Sequence, residues 1–217
     1  FVPLGINYDR VLEDRTLLRS IDPEARPVNR FWTVWNTAGF VVNNLRLMIK
    51  SGWRRFGYAC VNFGTPISVR AYCAERGIDF QALPAAERKR AVADLGAHLM
   101  AGVGQVVPVL PVPLVAEVML ERGKAGISEL ELKAEVNARI ERLEALGAHI
   151  YVPRADRDYA VGVGLRMLTL RHLVAEADGL YSAVPGELLL LGYYANSIAH
   201  FRRAAEPREA PASLAVA

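Results

Sequence analysis

The chain has 217 residues, of which 52% are hydrophobic and 23% are charged, and its formal net charge is +3. This composition is typical of a globular protein that can bury a full core, which excludes a disordered chain. The weak overall charge gives no indication of a nucleic-acid partner. The charge is unevenly distributed, because residues 25–74 contain no Asp or Glu and carry +7, which leaves −4 for the remainder.

Two segments predict strands of one sheet. Residues 1–8 place apolar side chains on one face, and Pro3 marks a strand start, an edge or a bulge. Residues 56–63 combine aromatic and β-branched side chains and stop at the turn over 64–66. Neither face of this second segment is polar throughout, so we expect a sheet that is covered on both sides.

A group of charged side chains follows the first strand directly. Its members are Asp9, Arg10, Glu13, Asp14 and Arg15. In α/β folds the carboxyl end of a strand is where ligand sites lie. A ligand site and a solvated loop are equally good interpretations of this group.

Residues 29–50 predict one amphipathic helix. Apolar side chains recur every three or four residues, tryptophans stand near one end, and Arg30, Arg46 and Lys50 flank the stripe without any acid. These features match a helix lying on an anionic membrane surface. The alternative, a helix packed on the sheet, explains the stripe equally well.

The middle of the chain predicts a short helix over 68–76, closed by Gly77, and a long helix over 85–107. Residues 96–115 contain no charged side chain, which is typical of a transmembrane segment. Three prolines within 108–113 argue against a single span. We therefore expect two buried helices that are broken at these prolines, with the second ending near Gly123.

A capping box at Ser128 and Glu131 opens a predicted helix that runs to residue 146. A second helix over 158–170 and a β-hairpin over 173–184 follow. Helix, helix and hairpin is the order of a winged-helix unit, which could bind DNA. Because the first helix is mixed in charge, a structural role is favoured.

The last predicted helix spans residues 187–203 and places Asn196 and His200 on one side. A lone His in such a position is more often packed and hydrogen-bonded than catalytic. The two cysteines, Cys60 and Cys73, fit reduced thiols, and no Cys/His cluster indicates a metal. Phe1 is not a start residue and a strand begins at once, so we expect a fragment of a longer chain.

The chain resembles the bacterial membrane-bound glycerol-3-phosphate 1-O-acyltransferases of the phospholipid acyltransferase superfamily. Residues 1–13 are similar to a family block in which a Val-Pro strand leads to Tyr-Asp-Arg, and residues 61–66 match a V-x-F-G-x-P turn. The alanine-rich helices over 92–120 have a similar pair in the family. Residues 193–200 resemble its Tyr-Tyr-x-Asn-x-Ile-Ala-His motif.

Two family motifs are missing from this sequence. The family uses an H-x-x-x-x-D pair, in which the His is the general base. Five residues after His98, His149, His172 and His200 stand Val, Arg, Ala and Ala. The family's F-x-E-G-x-R phosphate-binding block is also absent. We therefore expect the catalytic half to precede Phe1 in a longer protein, and this chain alone to be inactive.

The predicted fold class is α/β, with part of an acyltransferase sheet followed by a mainly helical region. The predicted boundaries are 1–78 for the α/β part, including the basic aromatic segment over 26–55, then 79–205 for the helical region and 206–217 for a disordered tail. The resemblance implies transfer of a fatty acyl group to the sn-1 hydroxyl of glycerol 3-phosphate in phospholipid biosynthesis. The alternative is a non-catalytic membrane-surface or winged-helix binding module.

The predicted substrate-binding residues are Pro3, Tyr8, Asp9 and Arg10, with Arg10 as a phosphate partner. We expect no catalytic residue, metal or cofactor in this chain, the acyl donor being acyl-CoA or acyl carrier protein. The predicted partners are glycerol 3-phosphate, the acyl thioester and an anionic membrane surface. The implied location is peripheral, on the cytoplasmic face of the bacterial inner membrane.

Overall fold

The computed structural model describes residues 1–11, 13–21 and 57–205, which form an α/β structure with two small antiparallel sheets. The helices are α1 Asp14–Ile21, α2 Val69–Arg76, α3 Ala85–Val106, α4 Pro111–Arg122, α5 Glu129–Ala145, α6 Arg157–Leu170, α7 Leu188–Asn196 and α8 Ala199–Ala205. The strands are β1 Leu4–Tyr8, β2 Ala59–Phe63, β3 Ile127–Ser128, β4 Val174–Ala177 and β5 Leu180–Ala183. The predicted segment over 26–55 and tail over 206–217 lie outside these residues.

The two predicted strands of one sheet are confirmed as β1 and β2. They pair antiparallel, with Leu4 opposite Phe63 and Tyr8 opposite Ala59. The prediction that both faces are covered is wrong, since Phe63 is 71% exposed and Ile6 45%. Alternate residues point to opposite faces of a strand, so only the other face contacts the helices. On that inner face Gly5 lies against the Val106 carbonyl, where a Cβ would come within 2.5 Å.

The hydrophobic core is built around α4. Its residues from Pro111 to Met119 are all buried, because all of them except Glu117 are apolar and the helix is enclosed by its neighbours. Helix α6 approaches it closely at Gly164, where a Cβ would lie 2.7 Å from the Pro111 carbonyl oxygen. Helices α5 and α7 and the hairpin complete the same core.

The proline break between α3 and α4 is confirmed, with α3 ending at Val106 and α4 beginning at Pro111. In contrast to the prediction, α3 is not a buried helix. Val106 is its one buried residue and Val92 is 55% exposed, because α3 meets β1 at its C-terminal end. Among the described residues, no helix combines the length and the apolar character needed to cross a membrane.

The region from α4 to β5 has the element order of a winged-helix unit. The capping box of Ser128 and Glu131 starts α5 as predicted, and α6 and the β4–β5 hairpin follow. The short strand β3 was not predicted. It pairs with β5, so the sheet order is β3-β5-β4.

The predicted single helix over 187–203 is wrong. A 3₁₀ turn covers residues 185–187, α7 ends at Asn196, and α8 begins at Ala199. Between the two helices, the amides of Ser197 and Ile198 bond to carbonyls three residues earlier. These tighter bonds end the α-helical ladder and change the direction of the chain.

Candidate functional site

Two adjoining cavities open at the C-terminal end of β1. The larger, of about 570 Å³, is called the cleft, and its lining residues are Tyr8, Arg10, Val11, Glu13, Gly57, Tyr58 and Ala59. The smaller, of about 220 Å³, is called the groove and lies along one side of α6. Gly57 and Tyr58 line both cavities, so the cleft and the groove are adjacent to each other.

Asp9 joins three parts of the chain beneath the cleft. Its side chain is buried, and its two carboxylate oxygens accept hydrogen bonds from the Tyr58 and Val112 amides, each at 3.0 Å. The second bond places the carboxylate at the N-terminus of α4, where the helix dipole favours a negative charge. Burial outweighs these bonds and raises the pKa of Asp9 to about 6.

Gly57 allows this close approach of β2 to Asp9. Its φ is +90°, and a Cβ there would lie 2.5 Å from the Asp9 Cβ. The adjacent Tyr58 ring packs on the Tyr151 ring, with centroids 5.0 Å apart. The wall between the cleft and the groove is therefore fixed by packing as well as by hydrogen bonds.

A buried polar cluster lies behind Arg10. Asp14 binds the Arg171 guanidinium at 2.5 Å and accepts a hydrogen bond from the Tyr194 hydroxyl. Arg171 also donates to the Tyr194 hydroxyl, which accepts a further bond from the Val11 amide. Burial and the nearby Arg171 lower the pKa of Arg10, while Tyr194 and Asp14 oppose that effect. The cluster therefore holds two guanidinium groups near one carboxylate, beside the cleft.

Polar contacts join β1 to the segment between α3 and α4 and to Ser197 between α7 and α8, and join α8 to α3. The Asn7 amide donates to the Pro108 carbonyl at 2.9 Å and to the Ser197 hydroxyl at 3.3 Å. The His200 Nε2 atom lies 2.9 Å from the Gly104 carbonyl, and burial lowers the pKa of this His. The interpretation of His200 as a packed, hydrogen-bonded residue is confirmed.

The structure brings together three of the four predicted substrate-binding residues. Tyr8 and Arg10 line the cleft, with Tyr8 46% exposed, and Asp9 lies buried beneath it. Pro3 lies at the opposite end of β1, five residues before Tyr8, which corresponds to about 17 Å along the strand. It packs there against Gly64 and Gly102, which places it away from the cleft.

Sequence reasoning missed the polar partners of this site. The sequence places Asp14 in a charged group but does not predict its burial or its contacts with Arg171 and Tyr194. Tyr194 belongs to the motif over 193–200, which was the one signal available. Within the described residues, no three His, Cys, Asp or Glu side chains are grouped to hold a metal ion.

The fold and the cleft define an α/β protein with an open cleft at the end of β1, where Arg10 and Glu13 are the charged lining residues. The chain belongs to the glycerol-3-phosphate acyltransferase C-terminal region family, whose model matches residues 44–203. This confirms the family resemblance described above. Its relatives include the glycerol-3-phosphate acyltransferases of Pseudomonas putida KT2440, 23% identical over 212 residues, and Shewanella woodyi, 23% identical over 211.

A third relative, from Pseudomonas savastanoi, is 24% identical over 215 residues. In all three cases the alignment covers 92% of this chain and 24% of the relative. The chain therefore spans about a quarter of the length of the curated relatives it matches.

Proposed function

We propose that this chain is the C-terminal part of an enzyme that transfers a fatty acyl group to the sn-1 hydroxyl of glycerol 3-phosphate. The donor is acyl-CoA or acyl carrier protein, and the product enters phospholipid biosynthesis. The observation that carries this proposal is the open cleft at the end of β1, with Arg10 at its wall, in a chain of this family.

In this proposal the residues of the cleft bind and orient the substrate. The Arg10 guanidinium can pair with a phosphate group, because guanidinium and phosphate form strong, charge-assisted hydrogen bonds. Tyr8 supplies an exposed phenol next to it, and Asp9 holds the strand end by its bonds to two backbone amides. Pro3 contributes through the packing that orients β1.

The proton-transfer step is assigned to residues outside this chain. None of the four His residues of this chain has an Asp five residues later, and His200 already lies against the Gly104 carbonyl. General base catalysis typically supplies about 10²–10⁴-fold in rate. The chain alone is therefore expected to transfer no acyl group.

The test compares the complete open reading frame that contains this chain with the 217-residue chain alone. Thiol release from an acyl-CoA is measured with and without glycerol 3-phosphate. The complete protein should release thiol in a glycerol-3-phosphate-dependent manner, and the chain alone should remain at background. Arg10→Lys in the complete protein should raise the KM for glycerol 3-phosphate more than it lowers kcat. Turnover by the chain alone would contradict the assignment of the base, and an inactive complete protein would contradict the function.

The proposal includes peripheral attachment to the cytoplasmic face of the inner membrane through residues 29–50. Each basic side chain near an anionic surface contributes about 1 kcal/mol, and salt screens this attraction. Sedimentation with anionic vesicles should weaken as salt rises, and replacing Arg30, Arg46 and Lys50 by Gln should remove most of that dependence. Trp32→Ala should lower binding at every salt concentration. Equal sedimentation with neutral vesicles would contradict membrane attachment by charge.

The winged-helix order of elements favours a second candidate, a binding module without catalysis. Its surface is a poor match to DNA, because the hairpin carries Glu176 and Asp178 and the Arg157 guanidinium is paired with Glu144. Phosphate binding by a DNA-binding face requires a cluster of unpaired basic side chains. A gel-shift assay with duplex DNA tests this candidate, and salt-dependent binding would support it.

A further inference from the structure

Helix α6 has two apolar sides: one is fully buried in the core, and the other is only partly buried, with Met167 also packed against the core. The core side is formed by Ala160, Val161, Gly164, Leu165 and Leu168, all buried. The other side presents Tyr159, Val163, Met167 and Leu170, spaced by four, four and three residues, and these line the groove. Leu170 is 41% exposed, so this apolar side lies at the surface of the described structure.

The groove is built from well-positioned side chains. The Tyr159 ring is held by the Arg154 guanidinium, 4.2 Å from the ring centroid, and the Tyr58 ring is held by Tyr151. The core packing of Gly164 against α4 fixes the rotation of α6 about its axis. The apolar stripe therefore has a defined orientation toward the groove.

The groove and the cleft together match an amphiphile with one apolar chain. The groove is apolar along α6 with Arg166 among its lining residues, and the adjacent cleft carries Arg10 together with the acidic Glu13. In a winged-helix unit that binds DNA, the second helix offers polar and basic side chains to the major groove. Here that helix offers one cation and four apolar or aromatic side chains, which favours a hydrocarbon.

We propose that the groove binds the fatty acyl chain of the substrate or product, while the phosphate-bearing end lies in the cleft near Arg10. The identity of the ligand rests on the proposed function, and the position of the acyl chain along α6 rests on the apolar stripe and on the two lining residues, Gly57 and Tyr58, that the groove shares with the cleft.

The test measures binding of decanoyl- and dodecanoyl-glycerol 3-phosphate to the 217-residue chain by calorimetry, below the micelle concentration, with glycerol 3-phosphate as the chainless reference. Each methylene buried in the groove should strengthen binding about fourfold. The dodecanoyl compound, with two more methylenes, should therefore bind about sixteenfold more tightly than the decanoyl compound. Equal affinity for the two compounds, or no binding of either compound, would overturn the proposal.

Met167→Glu should remove most of the chain-length dependence. Met100→Glu, on an exposed position of α3, is the matched control and should leave it unchanged. Met167→Leu should keep the chain-length dependence. Leu170→Gln, at a surface position, should weaken this dependence, and it replaces Met167→Glu as the test if Met167→Glu lowers the melting temperature. An equal loss in the Met167→Glu and Met100→Glu variants would contradict the assignment to the groove.

This experiment separates the two proposals. If the complete protein transfers acyl groups but chain length does not affect binding here, the groove assignment alone is wrong. If the complete protein is inactive but the chain-length dependence persists, the acyltransferase function is wrong and the groove remains a site for single-chain amphiphiles.

Discussion

The Tyr194 hydroxyl donates its hydrogen bond to the carboxylate of Asp14, which lies 180 residues earlier in the chain. Both residues are buried, and the bond links α7 to the start of α1 directly behind the cleft. Burial and the bond to Asp14 raise the pKa of Tyr194 to about 12, so the phenol remains a donor throughout the physiological range. The motif over 193–200 therefore holds the segment that carries Arg10.

Tyr194→Phe should destabilise the protein by about 2–3 kcal/mol, because it leaves the buried Asp14 carboxylate and the Val11 amide with one partner fewer. For a chain of this size the melting temperature should fall by roughly 4–12 °C. Tyr193→Phe, at the adjacent ring, is the control. Equal melting temperatures for the two variants would show that the Tyr194 hydroxyl contributes little.

The pKa of Asp9 predicts a specific pH dependence. Because the folded-state pKa is about 6 and the ordinary value is 3.8, the folded protein binds this proton more tightly than the unfolded chain does. The contribution of Asp9 to stability is therefore complete below about pH 4 and is lost as pH rises through 6, by about 3 kcal/mol at most.

Asp9→Asn removes this titration and places an NH₂ group against a backbone amide, which should cost about 1–3 kcal/mol. The stability difference between the wild type and the variant should shrink as pH rises from 4 to 7. Urea denaturation at several pH values measures it. A difference that is constant with pH would contradict the raised pKa.

Two glycines provide a matched test of packing. Gly5→Ala should destabilise by about 1–3 kcal/mol, because the new Cβ would meet the rigid backbone of Val106 and Val107. Gly192→Ala, in α7 with no atom within 4 Å of its Cβ position, should stabilise by up to about 1 kcal/mol. Thermal melts of both variants check the contrast. A stable Gly5→Ala variant would mean that β1 does not rest on the end of α3.

Arg139 contacts three carboxylates, those of Glu117, Glu121 and Glu135. Arg139→Met should destabilise by about 3 kcal/mol, since it removes one partner of the buried Glu117. Burial already raises the pKa of Glu117, so the loss should be smaller at acidic pH. The double variant with Glu117→Met should recover part of the stability in denaturant titrations. Additive losses in the double variant would show that the pair is not coupled.

The sequence predicts correctly those features that depend on residues close together along the chain. The capping box of Ser128 and Glu131, the left-handed Gly77 that ends α2 and the break before Pro111 are all confirmed. Each results from hydrogen bonds or steric limits within a few residues, which the local sequence determines. The pairing of β1 with β2 also followed from composition, because two strand-like segments of similar quality had to satisfy their backbone groups.

The tertiary structure alone decided which side chains of the site meet. The three-way junction of Asp9 with Tyr58 and Val112 spans about half of the chain, and no spacing within one element predicts it. The exposed outer face of β1 and β2 and the division of α7 from α8 were likewise beyond local patterns. Burial and long-range hydrogen bonding depend on how the helices pack around α4. The sequence pattern indicates which side chains tend to be buried, but it does not indicate which residues they contact.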